Sequence, residues 1–311
     1  MIGIVGAGGI GSYYAGILSR AGQPVRLLAR GDHLAAIRDH GLEVRTPDET
    51  FTTHPEATSD GAALADCDFV LVSVKGYSLA EVAPTLATAA ASGAAIVPLL
   101  NGIDIADRLA ALGVPRDAII GGLVRASLVR TKPGVVQRMS AHDLIVFGEL
   151  DGVVRDRTKR LDEILRATRG TVRLSENISL DLWRKFAFIV PMGVVCGLSR
   201  QPMGPILATD RGRQWLGETL HEVVQLSQGT RGAISASDEQ AIREDLFTLP
   251  AHIKPSFLLD LEQGGPTELD QLAATVSRLG HERGVPTPIH DVATAAFEAA
   301  THAAEPRALP R

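Results

Sequence analysis

Apolar residues in the first half of the chain come in short blocks; in the second half they recur at helical spacing over long stretches. Ile2–Val5 is an apolar run ending in glycines, and residues 10–21 carry apolar side chains every three to four positions. A buried strand followed by a helix is predicted. Residues 24–29 predict a second strand, residues 33–40 a helix, and residues 42–45 and 51–53 shorter extended pieces. Residues 68–74 are apolar after Asp68 except for Ser73, the pattern of a strand covered on both faces. A helix over Leu79–Ala91 and a buried strand over 95–100 continue the alternation, which predicts a parallel sheet with helices on its faces. Residues 118–121, 123–130, 134–139 and 144–147 then predict successive strands, with Pro133-Gly134 as a turn. A helix over 153–169 and a short strand over 171–174 complete this half. Beyond it only helices are predicted, over 179–198, 206–231, 238–246, 255–263, 266–283 and 290–302, with a frayed tail after Ala303. The fold class is α/β, with a domain over 1–176 and an all-helical domain over 177–311.

The junction of the first strand and helix reads Gly6-Ala7-Gly8-Gly9-Ile10-Gly11, with G-x-G-x-x-G spacing. Gly6 permits the tight turn, Gly8 lets backbone approach a pyrophosphate, and Gly11 lets helix pack close on strand. The helix N-terminus offers N–H groups and a positive dipole end to phosphates. Glycine-rich turns arise by chance, but strand before and helix after are the context of a Rossmann-type dinucleotide-binding domain. The second strand ends at Arg30, where an NAD-binding unit carries an acidic residue for the ribose 2′-hydroxyl. Arginine suits a 2′-phosphate instead, so NADPH is expected over NADH; the plain alternative is a solvated arginine, with Asp32 nearby. Lys75 and Asn101 follow the next two strands. Parallel sheets bind ligands beyond the carboxyl ends of their strands, so the glycine loop, Arg30, Lys75 and Asn101 are expected along one edge. Each alone could be turn chemistry, Asn101-Gly102 above all.

Composition narrows the class without choosing a reaction. The chain has 311 residues, 45% hydrophobic and 22% charged, ordinary for a soluble globular protein of two domains. A net charge of −5 argues against a general nucleic-acid or anionic-membrane binder. Cys67 and Cys196 lie far apart among apolar residues and read as reduced core thiols, with no metal-ligand spacing. No leader pattern and no uncharged apolar run of about 18 residues is visible, so a cytoplasmic protein without a membrane span is expected. Only five lysines occur, so a lysine at an apolar site stands out.

Lys185 is such a lysine, within Leu182-Trp183-Arg184-Lys185-Phe186-Ala187-Phe188-Ile189. A protonated amine there can donate to a ketone oxygen as general acid; the alternative is a side chain with its head in solvent. Downstream, Pro255 and Pro266 mark two helix starts separated by Gly264-Gly265. Ser256 offers a hydroxyl at the first, and Glu268 is expected in the first turn of the second, stabilised by its dipole and available to Lys185. Both could equally be capping residues.

Taken together, the 6–11 loop, Leu27-Leu28-Ala29-Arg30, Val74-Lys75-Gly76, Leu100-Asn101-Gly102, Trp183-Arg184-Lys185 and Ser256 with Glu268 resemble the ketopantoate reductase (2-dehydropantoate 2-reductase) family. The resemblance runs from residue 1 to about 300. It implies a Rossmann-type N-terminal domain, an all-helical C-terminal domain and a site in the cleft between them. It also implies NADPH-dependent reduction of a 2-oxo acid to a 2-hydroxy acid, in the family's case the step that makes pantoate for pantothenate. Lys185 then matches the general acid, Asn101 the contact to nicotinamide and substrate, and Ser256 the holder of the substrate carboxylate end. Glu268 matches the glutamate near cofactor and lysine, and Arg30 and Lys75 the 2′-phosphate contacts. The implied partner is a small 2-oxo acid, with a homodimer left open.

Three positions depart from the family pattern. Ile189 stands where an asparagine commonly contacts the substrate hydroxyl, and Gly193 where another asparagine is frequent, with Pro191 expected to kink the helix between them. Ala273-Ala274 replaces an Asn-Gly pair. Two alternatives follow: the same chemistry on a less hydroxylated oxo acid or ketone, and a non-catalytic NADPH sensor, disfavoured by retention of Lys185, Ser256 and Glu268. A 3-hydroxy acid dehydrogenase is disfavoured because its glycine-rich substrate loop is absent.

Overall fold

The computed structural model describes residues 1–304, and the expected fraying after Ala303 falls almost entirely outside them. The chain forms two compact units, Met1–Ser179 and Leu180–Arg311.

Unit 1 contains β1 (Ile2–Val5), α1 (Gly9–Arg20), β2 (Val25–Leu28), α2 (Gly31–His40), β3 (Leu42–Arg45), β4 (Thr50–Thr53), β5 (Glu56–Thr58) and β6 (Phe69–Val72). It continues with α3 (Leu79–Ala91), β7 (Ala95–Pro98), α4 (Ile105–Ala111), β8 (Ile120–Arg125), β9 (Leu128–Lys132), β10 (Val135–Arg138), β11 (Leu144–Glu149), α5 (Asp156–Arg166) and β12 (Val172–Leu174). The main sheet has the order β5-β2-β1-β6-β7, every pairing parallel. Its strands are apolar on both faces because each face is covered: Phe69 and Leu71 join one core cluster, Val70 and Val72 the other. After β2 and β5 build one flank, the chain crosses to the other side of β1 to lay down β6. The β1–β6 boundary is therefore the switch point at which such sheets bind ligands.

The strands of 118–148 do not extend this sheet as one block. β9 and β10 join β3 and β4 in a sheet of order β4-β3-β10-β9 packed on α1, while β8 and β11 join β12. Residues 11–18 of α1 are all buried, because the helix has a sheet on either side. Sequence periodicity sees an apolar helix but not which layers enclose it.

Unit 2 is helical: α6 (Ile178–Ser199), which begins at the unit border, α7 (Met203–Leu207), α8 (Asp210–Ser227), α9 (Ala236–Phe247), α10 (Ser256–Glu262), α11 (Ala273–Arg283) and α12 (Pro288–Ala304). Arg184 ties α6 to α9 through Asp238 at 2.6 Å. Glu222 of α8 accepts the Ile289 and His290 backbone N–H groups at 2.9 and 3.2 Å and pairs with His290 Nδ1 at 2.6 Å, which satisfies the start of α12. Among the described residues only α6 is long and apolar enough to cross a membrane, and 61% of its most apolar window is buried inside the fold.

Two helix expectations are corrected. The helix expected over 206–231 is two, because Thr209 caps α8 by accepting the Gly212 N–H at 3.0 Å. The helix expected from Pro266 begins only at Ala273, since 266–268 are irregular, residues 269–271 form a 3-10 turn and Leu272 takes φ −114°, ψ −100°. The α6 helix continues through Pro191, whose missing N–H leaves the Ala187 carbonyl without its usual donor.

Candidate active site

Four predicted residues stand at the carboxyl edge of the main sheet. Arg30 follows β2, Gly6 follows β1, Lys75 follows β6 and Asn101 follows β7, so they succeed one another across four adjacent parallel strands. At about 4.8 Å per strand this row spans roughly 15 Å.

The glycines of the loop do four different things. Gly6 has φ +99°, and a Cβ there would lie 2.7 Å from the Val74 nitrogen. A Cβ on Gly11 would lie 2.0 Å from the Gly6 carbonyl oxygen, so Gly11 sets the approach of α1 to the turn. Gly9 is demanded by the second sheet, since its Cβ would meet the Leu128 carbonyl oxygen of β9 at 2.1 Å. At Gly8 a Cβ would meet nothing within 4 Å. The fold itself does not need glycine at position 8, and the open space fits a group laid against the backbone, as a dinucleotide pyrophosphate would be. Ala7 and Ile10 are half-buried against the unit 1 core.

Hydroxyls fix the carbonyls of this loop. Ser73 Oγ donates to the Gly6 carbonyl at 2.8 Å across the switch point, and Ser12 Oγ donates to the Ala7 carbonyl at 3.1 Å. Ser73 was visible in the sequence as the one polar residue in an apolar run, and it stands just past the end of β6. Ser12 and its partner His33 carried no such signal, because burial of a polar side chain is a tertiary fact.

Arg30 precedes α2 in extended conformation, with a largely exposed side chain paired to Glu81 in the first turn of α3. An acidic group therefore does reach this end of the row, but from α3 rather than from the end of β2. Lys75 and Asn101 are half-buried. Lys75 precedes a 3-10 turn, and Asn101 leads into Gly102 at φ +124°.

In unit 2, Lys185 is half-buried on α6 between the buried Trp183 and Phe186. Ile189 and Gly193 follow at intervals of four, on the same face of the helix. A Cβ on Gly193 would lie 3.7 Å from Phe257 Cβ, an ordinary contact, so this face meets the first turn of α10 beside Ser256. Ser256 is the first residue of α10 and is exposed. Glu268 is 4% exposed and lies ahead of the 3-10 turn, so the helix dipole proposed for it from sequence is absent. A buried carboxylate needs partners of its own to remain charged.

The family described as Ketopantoate reductase PanE/ApbA matches residues 2–152, and its C-terminal counterpart matches residues 177–301. The uncharacterized oxidoreductase YkpB of Bacillus subtilis is 31% identical over 86% of this chain and 88% of its own length. Crystalline 2-dehydropantoate 2-reductase from Geobacter metallireducens superposes with TM-score 0.87 at 28% identity, covering 96% of this chain and 99% of that one. D-mandelate dehydrogenase, solved with NADH and anilino(oxo)acetate, shares the fold at TM-score 0.86 and 21% identity, covering 97% of this chain and 98% of that one. Both halves of the chain thus match one family in order, and the protein belongs to the ketopantoate reductases of the PanE/ApbA type, a family of oxidoreductases.

Proposed function

We propose that the protein is a cytoplasmic, NADPH-dependent reductase that converts a 2-oxo acid, 2-dehydropantoate in the family's named activity, to the 2-hydroxy acid. The observation that carries this is Lys185, half-buried in an apolar helix of a chain that matches the family over both halves. The loop from Gly6 to Gly11 would take the pyrophosphate, Arg30 and Lys75 the 2′-phosphate, and Asn101 the nicotinamide end. The reduced nicotinamide, when bound, supplies a hydride to the carbonyl carbon. Lys185 Nζ–H donates a proton to the carbonyl oxygen as it gains negative charge, leaving a neutral amine that solvent reprotonates. Glu268 orients the lysine, and Ser256 holds the substrate carboxylate end. Arg30, paired with Glu81 in this structure, would exchange that carboxylate for the 2′-phosphate, one charge-assisted contact for another.

A second substrate class is favoured by Ile189. The face that carries Lys185 continues through Ile189, whose side chain cannot hydrogen-bond a substrate hydroxyl, and Gly193, which has no side chain. Less hydroxylated 2-oxo acids would then be preferred, since a pocket lined by isoleucine gains nothing from a hydroxyl. Comparing kcat/KM for 2-dehydropantoate and for 3-methyl-2-oxobutanoate with NADPH decides between the two. A higher value for the hydroxylated acid supports the family's substrate, a higher value for the other supports the second class, and no NADPH oxidation with either refutes both.

A further inference from the structure

Behind the glycine loop runs a buried chain of hydrogen bonds whose direction is fixed at one end. The Gly134 backbone N–H, in the β9–β10 turn, donates to His33 Nδ1 at 2.9 Å. A backbone N–H can only donate, so Nδ1 accepts and the imidazole proton of a neutral His33 resides on Nε2. His33 Nε2 lies 3.0 Å from Ser12 Oγ, to which it donates. The Ser12 hydroxyl hydrogen is thereby left for the Ala7 carbonyl, 3.1 Å away. His33 is 4% exposed and Ser12 fully buried. Each group has one role that suits its neighbours.

The last bond has a consequence on the other side of the peptide. In a trans peptide the C=O of one residue and the N–H of the next point in opposite directions within one plane, and the chain has no cis peptide bond. Holding the Ala7 carbonyl inward on Ser12 therefore turns the Gly8 N–H outward, at the position where a Cβ would meet open space. Ser73 does the same for the Ala7 N–H by holding the Gly6 carbonyl.

We infer that the relay Gly134–His33–Ser12–Ala7 aims the Gly8 N–H at the pyrophosphate of the dinucleotide, which makes Ser12 and His33 positioning residues for cofactor binding. The inference rests on the proposal that this loop binds a nicotinamide dinucleotide. His33 sits on α2, which Arg30 immediately precedes, so one side chain couples the pyrophosphate loop to the segment proposed for the 2′-phosphate.

Two measurements test it. In the free protein, ¹⁵N NMR of histidine should show His33 protonated on Nε2 alone at neutral pH; an Nδ1–H tautomer or an imidazolium overturns the relay. Affinities are then measured for NADPH and for adenosine 2′-monophosphate, which lacks the pyrophosphate, in wild type, S12A, H33L and H33Q. S12A and H33L should weaken NADPH on the order of tenfold, the weight of one hydrogen bond to a charged group, with adenosine 2′-monophosphate unchanged. H33Q, whose amide N–H can reach Ser12, should restore NADPH to within about threefold of wild type. Equal weakening of both ligands would mean general loosening of unit 1 and overturn the inference, as would S12A with undiminished NADPH affinity. Wild type that binds neither NADPH nor NADH refutes the dinucleotide assignment itself.

Discussion

The glycine loop of unit 1 and the Lys185 face of unit 2 present function in different ways. In the loop the groups proposed to bind are backbone N–H groups, in a turn whose carbonyls are held by Ser73 and Ser12 and whose glycines' missing Cβ atoms make room for Val74, Leu128 and Gly6. On α6 the proposed groups lie at four-residue intervals, and the helix runs unbroken through Ile189 and Gly193. Backbone recognition is constrained by the fold, so it is written in glycines. Side-chain recognition can be rewritten one residue at a time without a change of backbone.

The largest expected effect comes from the helix. Lys185→Ala should lower kcat by about 10²- to 10⁴-fold, the range of general acid catalysis, with NADPH affinity and thermal midpoint nearly unchanged. A parallel loss of cofactor affinity would assign the lysine to binding instead.

Unit 1 should respond through stability. His33 is pushed down to about 4, first by burial and then by the charge of Arg130. Between pH 6.5 and 4 the unfolded chain binds a proton that the folded chain refuses, so stability falls as pH falls through this window, by ~3 kcal/mol at most. Above the window the term vanishes. Denaturant titrations of wild type and H33Q across these pH values should differ in slope; identical slopes would place the histidine in a more solvated setting.

Gly9→Ala should destabilise unit 1 by roughly 1–3 kcal/mol or more through its clash with the Leu128 carbonyl. Gly8→Ala should leave denaturant stability unchanged and reduce dinucleotide affinity. Reversal of the two would contradict the division of roles within the loop.

Arg30→Ala should weaken NADPH by roughly ten- to a hundredfold, the value of charge-assisted hydrogen bonds, and NADH much less. Equal losses would remove Arg30 from the 2′-phosphate. The smallest effect is expected from Ile189→Asn, which should raise kcat/KM for 2-dehydropantoate relative to 3-methyl-2-oxobutanoate by about fivefold, one added hydrogen bond. An unchanged ratio would show that position 189 does not meet the substrate.

Much of this organisation was legible in the sequence. Strand and glycine patterns located β1, α1, β2, β6 and β7, and with them the row of Gly6, Arg30, Lys75 and Asn101 along one sheet edge. The helical second unit followed from 3.6-residue periodicity. What could not be read depends on contacts distant in sequence. Gly9 faces β9, more than a hundred residues later, and the Ser12–His33–Gly134 relay closes over a similar distance. Glu268 was misplaced because Pro266 imitates a helix start, while the backbone of 266–272 follows no regular pattern before Ala273. Glu81 was missed as the partner of Arg30 because it lies on a helix rather than at a strand end.

Isotope transfer follows the hydride itself. Purified protein is incubated with NADPH carrying deuterium at both C4 positions of the nicotinamide ring, together with 2-dehydropantoate or 3-methyl-2-oxobutanoate, and the product is analysed by mass spectrometry and NMR. The expected product is a 2-hydroxy acid with one deuterium at C2, formed by wild type and formed by Lys185→Ala at a rate lower by about 10²- to 10⁴-fold. Cofactor that binds with no labelled hydroxy acid formed from either substrate would contradict it.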